Sequence, residues 1–406
     1  MKIEFNMSEL VVALDVVSIV TPRAATASGA AGYLFVVKGN KCHVYSRDSS
    51  CVAMSHFPLL SSDSDGQFVY PAEYINALKF LASTSDTCTI EATVEDEKHV
   101  VRYEASAGAK AERGSFDPQL LVTCDQDLAE ASGVQEFKSG ILREAIGQAK
   151  PFLAKEAQDE SFRGLQVLDA SRPEYAKGNG CLYVSDGTRA FYFQSAHLMD
   201  KNLEIHGQHL GQLTNFLGKT DVVTIKKGNH FTFAEDAKGN VFGWPRHAKG
   251  HAKFGYYPLK TDNFVFKVPK VRLTNSLGHA RSELEPKEDK IKISFDPERK
   301  ALSFGVTAGT AKVEGIPVMV DVVQGDSPKG WSFGVNINHL LELVNGVKGN
   351  EIEFRVRIIE ANEGRRNDLA MFRTIDKFLL DESGKVTTEP EGAVECQVTR
   401  FMPSKG

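Results

Sequence analysis

Side chains able to bind a metal, attack a carbonyl or hold a nucleotide are present in this chain, but not in working constellations. His247-Ala248-Lys249-Gly250-His251 sets two imidazoles at i and i+4, the spacing of a metal pair on one helix face. Gly250 interrupts that span and no third ligand supports it, so the segment reads as a basic surface loop. The six cysteines, Cys42, Cys51, Cys88, Cys124, Cys181 and Cys396, form no C-x-x-C pair. Neither a zinc site nor a disulfide framework follows, and a reducing cytoplasm is the expected compartment. No Walker loop, G-x-G-x-x-G run or G-x-S-x-G elbow occurs, and Gly29 and Gly32 are too sparse for a dinucleotide loop. The acidic residues do not gather into a metal cluster. The chain is expected to be no enzyme and to need neither metal nor cofactor.

What remains is cationic chemistry directed at phosphate. Six segments with helical apolar spacing (8–20, 71–82, 139–156, 207–219, 267–281 and 335–348) carry ten basic residues: Lys79, Arg143, Lys150, Lys155, Lys219, Lys267, Lys270, Arg272, Arg281 and Lys348. They carry six acidic ones: Glu9, Asp15, Glu73, Glu144, Glu156 and Glu342. The segments total +4 while the whole chain is −5, leaving −9 elsewhere. A net negative charge argues against a nucleic-acid partner only when the charges are mixed evenly. Ordinary solvated helix faces would carry the same cations. Pro151 breaks or kinks the third segment.

The elements that hold these segments recur. Ile3-Glu4-Phe5 runs into Ser8–Leu14, Val134–Phe137 into Ile141–Ile146, and Phe264–Val268 into Val271–Leu277, about 130 residues apart each time. A second strand-then-helix pattern follows in each: Phe68–Pro71 into Tyr74–Leu81, Leu203–Ile205 into Leu210–Leu217, and Phe333–Asn336 into Leu340–Asn345. Apolar positions three and four apart give each helix one buried stripe. Period-two runs such as Thr89–Val94, Val223–Lys226 and Ile352–Arg357, with turns at Lys38-Gly39-Asn40 and Lys227-Gly228-Asn229, read as antiparallel hairpins. A period near 130 residues means whole domains rather than a solenoid. The predicted fold is α+β: three tandem domains at 1–128, 129–259 and 260–406, with helices on one face of antiparallel sheets. The polar stretches Asp125–Gly133 and Tyr257–Asn263 mark the boundaries. Ser171–Gly180, His247–Phe254, Ser282–Asp289 and Asp376–Glu395 read as long loops. Leu10, Ala13, Leu14 and Val17 make the first apolar stretch an amphipathic core helix rather than a secretory leader, since Glu4, Glu9 and Asp15 interrupt it. No run is long and apolar enough for a membrane span.

With the repeat in view, the chain resembles the bacterial-type DNA sliding clamp, the beta subunit of DNA polymerase III. Val184-Ser185-Asp186-Gly187-Thr188-Arg189-Ala190 is similar to that family's Thr-Asp-Gly-His-Arg-Leu segment. Phe401-Met402-Pro403 stands where the family has an aliphatic residue before Met-Pro. Phe162-Arg163-Gly164-Leu165 resembles a Leu-Asn-Gly-Met segment, and Arg23 matches an arginine that touches DNA. The resemblance implies a head-to-tail homodimer closed into a ring, helices lining a hole that takes duplex DNA without reading its sequence, and an ATP-driven clamp loader as partner. It implies DNA contacts at Arg23, Lys79, Arg143, Lys150, Lys155, Lys219, Lys270, Arg272, Arg281 and Lys348. It also implies a polymerase-peptide pocket at Phe162, Ser185, Asp186, Gly187, Thr188, Arg189, Ala190, Phe401, Met402 and Pro403. Tyr257 and Pro258 loosely match a Phe-Pro-x-Tyr segment of the same pocket. Arg400 and the ending Ser404-Lys405-Gly406 depart from the family pattern. Such departures imply a divergent clamp with its own partner peptides, of the kind a phage would encode. The competing expectation is a β-rich viral structural or assembly protein built of repeated domains, which would need no basic lumen.

Overall fold

The structure is a computed structural model. It describes residues 1–21, 22, 31–121, 123–153, 164–168, 180–185, 189–195, 203–246, 264–308, 311–314, 316–324, 331–346, 350–357, 368–374 and 394–401. The chain divides into two compact units, Met1–Arg143 with Gln208–Gly250, and Glu144–Gly207 with His251–Gly406.

In chain order the first elements are β1 (Lys2–Asn6), α1 (Met7–Val17), β2 (Gly32–Lys38), β3 (Lys41–Arg47), β4 (Val52–Pro58), β5 (Ser61–Ser62), β6 (Gly66–Pro71), α2 (Ile75–Phe80), β7 (Thr87–Glu95), β8 (Lys98–Ala105), β9 (Lys110–Gly114) and α3 (Asp125–Glu130). Next come β10 (Ser132–Lys138), α4 (Ser139–Ala149), β11 (Gly164–Leu168), β12 (Gly180–Ser185), β13 (Arg189–Ser195), β14 (Leu203–His206), α5 (Leu210–Leu217), β15 (Val222–Lys227), β16 (Phe231–Asp236) and β17 (Val241–Pro245). The last are β18 (Phe264–Pro269), α6 (Lys270–Ser282), β19 (Lys290–Asp296), β20 (Ala301–Ala308), β21 (Ala311–Glu314), β22 (Val318–Met319), β23 (Asp321–Gln324), β24 (Trp331–Asn336), α7 (Ile337–Gly346), β25 (Glu351–Arg357), β26 (Asp368–Thr374) and β27 (Val394–Phe401).

The first unit holds two sheets, ordered β5-β1-β7-β8-β9 and β10-β15-β16-β17-β4-β3-β2-β6. The second holds β14-β11-β12-β13-β27-β26-β25-β18-β23 and β21-β20-β19-β24, with β22 on the free flank of β20. One strand order therefore recurs three times, as β1-β7-β8-β9, β10-β15-β16-β17 and β18-β25-β26-β27. A second also recurs, as β4-β3-β2-β6, β13-β12-β11-β14 and β21-β20-β19-β24. Every pairing is antiparallel, as the alternating pattern requires: in β1, Ile3 and Phe5 are buried while Lys2 is exposed.

Helix α1 buries Met7, Leu10, Ala13, Leu14, Val16 and Val17 and leaves Ser8, Glu9, Val12 and Asp15 exposed. That stripe makes it a core helix. In the first unit Phe5 meets Phe57 edge-on at 5.3 Å and Phe35 stacks on Phe68 at 4.8 Å. In the second, Phe266 stacks on Phe354 at 4.9 Å and on Phe295 at 6.0 Å. Full burial of one such ring contributes about 1.5–3 kcal/mol.

Three expectations change. The 71–82 helix is a six-residue α-helix between two 3₁₀ turns, Ala72–Tyr74 and Leu81–Ser83. Asp125–Gly133, a polar stretch with no element expected in it, folds as α3 and the start of β10, where Asp127 finds a set of backbone donors. Ser282–Asp289 is short and tied rather than loose: Arg281 donates to the Glu288 carbonyl at 2.9 Å and Asn336 to Asp289 at 2.6 Å. The break expected at Pro151 takes the form of a 3₁₀ turn, Lys150–Phe152, before which the third helix ends at Ala149. His247–His251, Tyr257–Asn263, residues 171–179 of the Ser171–Gly180 loop and residues 376–393 of the Asp376–Glu395 loop lie outside the described residues.

Candidate nucleic-acid interface and partner groove

Each helix shows one exposed face, and its residue types are what a ligand would meet. On α4 the exposed residues are Gly140, Arg143, Glu144 and Gly147, followed by Lys150 on the 3₁₀ turn. On α5 they are Gly211 and Asn215, with Gly218 and Lys219 just beyond the last turn. On α6 they are Val271, Arg272, Asn275, Gly278 and Ser282, with Lys270 and Arg281 half-buried towards the ends. No acidic residue lies on α6, so Lys270, Arg272 and Arg281 make it the most cationic of the helices, with Lys267 on the strand β18 that leads into it. Arg143, Arg272, Lys150 and Lys219 make no ion pair among the described residues. Arg281 is engaged by the Glu288 carbonyl.

The first helix pair differs. Lys79 of α2 is the sole cation of α1 and α2, and its Nζ donates to Asp15 at 2.9 Å and to Ser18 Oγ at 3.0 Å. Around it stand exposed Glu9, Val12, Glu73, Asn76 and Phe80, the last 72% exposed. This face is apolar and acidic. Asp15 already pairs with this cation, so Lys79 adds no net charge to the face.

The predicted groove residues converge by backbone register. Ser185 ends β12 opposite Ala190, which opens β13 with Arg189. Arg189 and Ala190 lie opposite Thr399 and Val398 of β27. Phe401 ends β27 opposite Asp368 of β26, at the same end of the sheet as the β12–β13 turn. Ser185, Arg189 and Ala190 thus share one sheet end of the second unit with Phe401, which is distant from them in sequence. Phe162, Asp186, Gly187, Thr188, Tyr257, Pro258, Met402 and Pro403 lie outside the described residues, as do Arg23, Lys155 and Lys348.

No protein-family model matches the chain. Nor does any curated protein sequence. Solved structures do match along the full length. The DNA polymerase III beta subunit of Pseudomonas aeruginosa superposes with TM-score 0.72 at 14% identity, covering 99% of this chain and 100% of that one. A putative DNA polymerase III beta subunit of Eubacterium rectale gives 0.74 at 13%, covering 99% of each. The Thermotoga maritima beta subunit gives 0.69 at 12%, again covering 99% of each.

The chain has the sliding-clamp fold.

Within that fold, three features carry no motif and were not foreseen. Asp127 of α3 accepts from the backbone N–H groups of Asn229, at 2.5 Å, and of Phe231, at 2.8 Å, with His230 N–H at 3.1 Å. A carboxylate seated on three successive amides fills the β15–β16 turn. Only glycine fits beside it, since a Cβ on Gly228 would stand 2.5 Å from the Asp127 carboxylate. Asp48, between β3 and β4, accepts from Ser50 and Cys51 backbone N–H and from Gln212 Nε2, so its carboxyl is held below its usual range by those donors, against the effect of burial. Beside it the Cys51 sulfur lies 3.0 Å from His209 Nδ1, with both side chains buried. Burial and then the Asp48 charge push the Cys51 thiol up to about 12. The thiol keeps its proton, so this cysteine–histidine contact is a structural tie and not a nucleophile. The last feature is a lattice of alternating charge across β1, β7, β8 and β9, described below.

Proposed function

We propose that this protein is a non-catalytic DNA sliding clamp, a polymerase processivity factor. Two copies close head to tail into a ring around duplex DNA. Each chain contributes three domains, at 1–128, 129–259 and 260–406. The observation that carries the reading is the strand order. Two joints inside the chain follow one rule: the outer strand of the first quartet type pairs with the outer strand of the second, as β17 with β4 and β27 with β13. The rule leaves β9 and β21 as the outstanding outer strands, one of each type. A second copy supplies the complement of both, and heterologous contacts of that kind generate rings when the rotation closes.

The ring holds DNA by topology, so its phosphate contacts stay weak, mobile and blind to sequence. Arg143, Lys150 and Lys219 on α4 and α5, and Lys270 and Arg272 on α6, supply them. The groove at the β12–β13 turn and the β27 end receives a short apolar segment of the polymerase, and an ATP-driven loader opens the ring. The full-length likeness to beta subunits at TM-scores near 0.7 supports the reading.

The test is retention on DNA after loading. The protein is expected to stay on closed circular duplex and to be lost when the circle is cut. Equal retention on circular and linear DNA would overturn the proposal.

A further inference from the structure

The outer strands β9 and β21 each keep one flank unpaired among the described residues. Resting on the ring reading, we propose that β9 of one copy pairs with β21 of the second in a single register, Glu112 opposite Lys312 and Lys110 opposite Glu314. The alternation of charge selects both that register and a second copy of this chain as the partner.

Two independent observations give the same register. The first is the pair of joints already inside the chain. Gly243 of β17 lies opposite Val52 of β4, and Val398 of β27 lies opposite Ala190 of β13. Gly243 and Val398 hold one rung of their quartets, Gly243–Phe233–Lys226 and Val398–Met371–Arg355. In the first quartet that rung is Glu112–Arg102–Glu91. Val52 and Ala190 likewise hold one rung of the second quartet type. Continuing the ladders outward from Pro71 and His206, which end the strands before the second helices, leads through Gly32 and Arg47 to Val52, and through Gly164 and Ser185 to Ala190. From Asn336 the same path runs through Lys290 and Thr307 to Lys312. Transferring the joint therefore sets Glu112 opposite Lys312.

The second observation is charge. The outward face of the first sheet alternates in sign along the rung Lys2–Glu91–Arg102–Glu112, and the rung beside it ends in Glu104–Lys110. Arg102 Nε donates to Glu112 at 2.7 Å, and Lys110 lies 2.7 Å from Glu104. Directly opposite residues share a face, and a slip of one residue would exchange faces. Glu112 and Lys110 are exposed, and Lys290 and Lys292, on the rungs of Lys312 and Glu314, are exposed too. The face condition thus admits only even slips. A slip of two residues one way sets Lys110 against Lys312, and the other way sets Glu112 against Glu314. The transferred register alone gives two unlike pairs, and directly opposed like charges in a sheet are unfavourable.

The experiment uses the full-length chain and sedimentation at low and high salt, with thermal unfolding as the check of folding. E112K and K312E are each expected to weaken the homodimer about tenfold per joint, hence about a hundredfold for a ring with two joints. An equimolar mixture of the two variants is expected to regain near wild-type affinity, because both joints of the mixed ring pair unlike charges. As a second readout, the variant carrying A111C and V313C together is expected to form inter-copy disulfides under mild oxidation, whereas A111C with A311C is not. A wild-type dimer indifferent to both charge reversals, or a mixture that stays monomeric, would overturn the register alone. A wild-type chain that never dimerises would overturn the ring and the register with it.

Discussion

Asp127 and Lys79 show how a single side chain's partners decide its role. Asp127 looks like one acid in a polar stretch, yet it neutralises three amides that would otherwise be orphaned in the β15–β16 turn. Asp127→Ala is expected to cost about 1.5–3 kcal/mol of stability, the worth of hydrogen bonds to a charged group, read as a fall in the chemical-denaturation midpoint at unchanged slope. Gly228→Ala should cost at least as much, because the new Cβ displaces that carboxylate. Lys79 is engaged by Asp15 and Ser18, whereas Arg272 is exposed on a helix without acids. Under the clamp reading, Arg272→Glu should reduce DNA retention several-fold and make its loss with salt shallower, since one phosphate contact fewer releases fewer counterions, while Lys79→Ala leaves it within about twofold of wild type. Equal losses would mean that the α1–α2 face also touches phosphate.

At the scale of elements, the β3–β4 hairpin carries a cross-strand pair, His43 opposite His56, with rings 5.7 Å apart. Burial lowers both imidazoles below their ordinary value. The charge of His56 and then of Lys38 and Lys41 adds to the effect on His43, and Lys41 adds to it on His56, while Asp125 and Asp236 oppose it. The folded state resists protonation, so the unfolded chain binds more protons as pH falls through the ordinary histidine range near 6.5. Stability is therefore fully present above that range and declines below it. The melting temperature should fall between pH 7.5 and 5.5, and His43→Gln with His56→Gln should flatten that fall. An unchanged slope in the double variant would place the titration elsewhere. The helices follow a similar division of labour. Under the clamp reading, replacing Arg143, Lys150 and Arg272 together by Glu should weaken DNA retention further than Arg272→Glu alone and leave the unfolding transition in place, since all three side chains are exposed.

For the whole molecule, the clamp reading makes ring closure and polymerase capture separable. Under it, removing Met402–Gly406 should abolish polymerase binding in a pull-down while sedimentation still reports a dimer, because the proposed dimer joints lie on β9 and β21. Polymerase capture that survives the deletion would move the groove away from the β27 end. Among the described residues no helix is long and apolar enough to cross a membrane.

The order of elements was legible along the chain. Apolar residues at spacings of two, three and four report burial directly, as at Ile3 and Phe5 or Leu10, Ala13, Leu14 and Val17, and copies about 130 residues apart reinforce the pattern. The juxtaposition of Ser185, Arg189 and Ala190 with Phe401 could be named only through a family resemblance, since the ladder that unites them joins strands some two hundred residues apart. Partnership was invisible in either way. Whether Lys79 is spent on Asp15, whether Asp127 caps a distant turn, and whether Glu112 stands on an open edge all depend on non-local pairing. Local propensity has no term for the residue across a ladder, so folding decides which charges are consumed inside the protomer and which are left facing out.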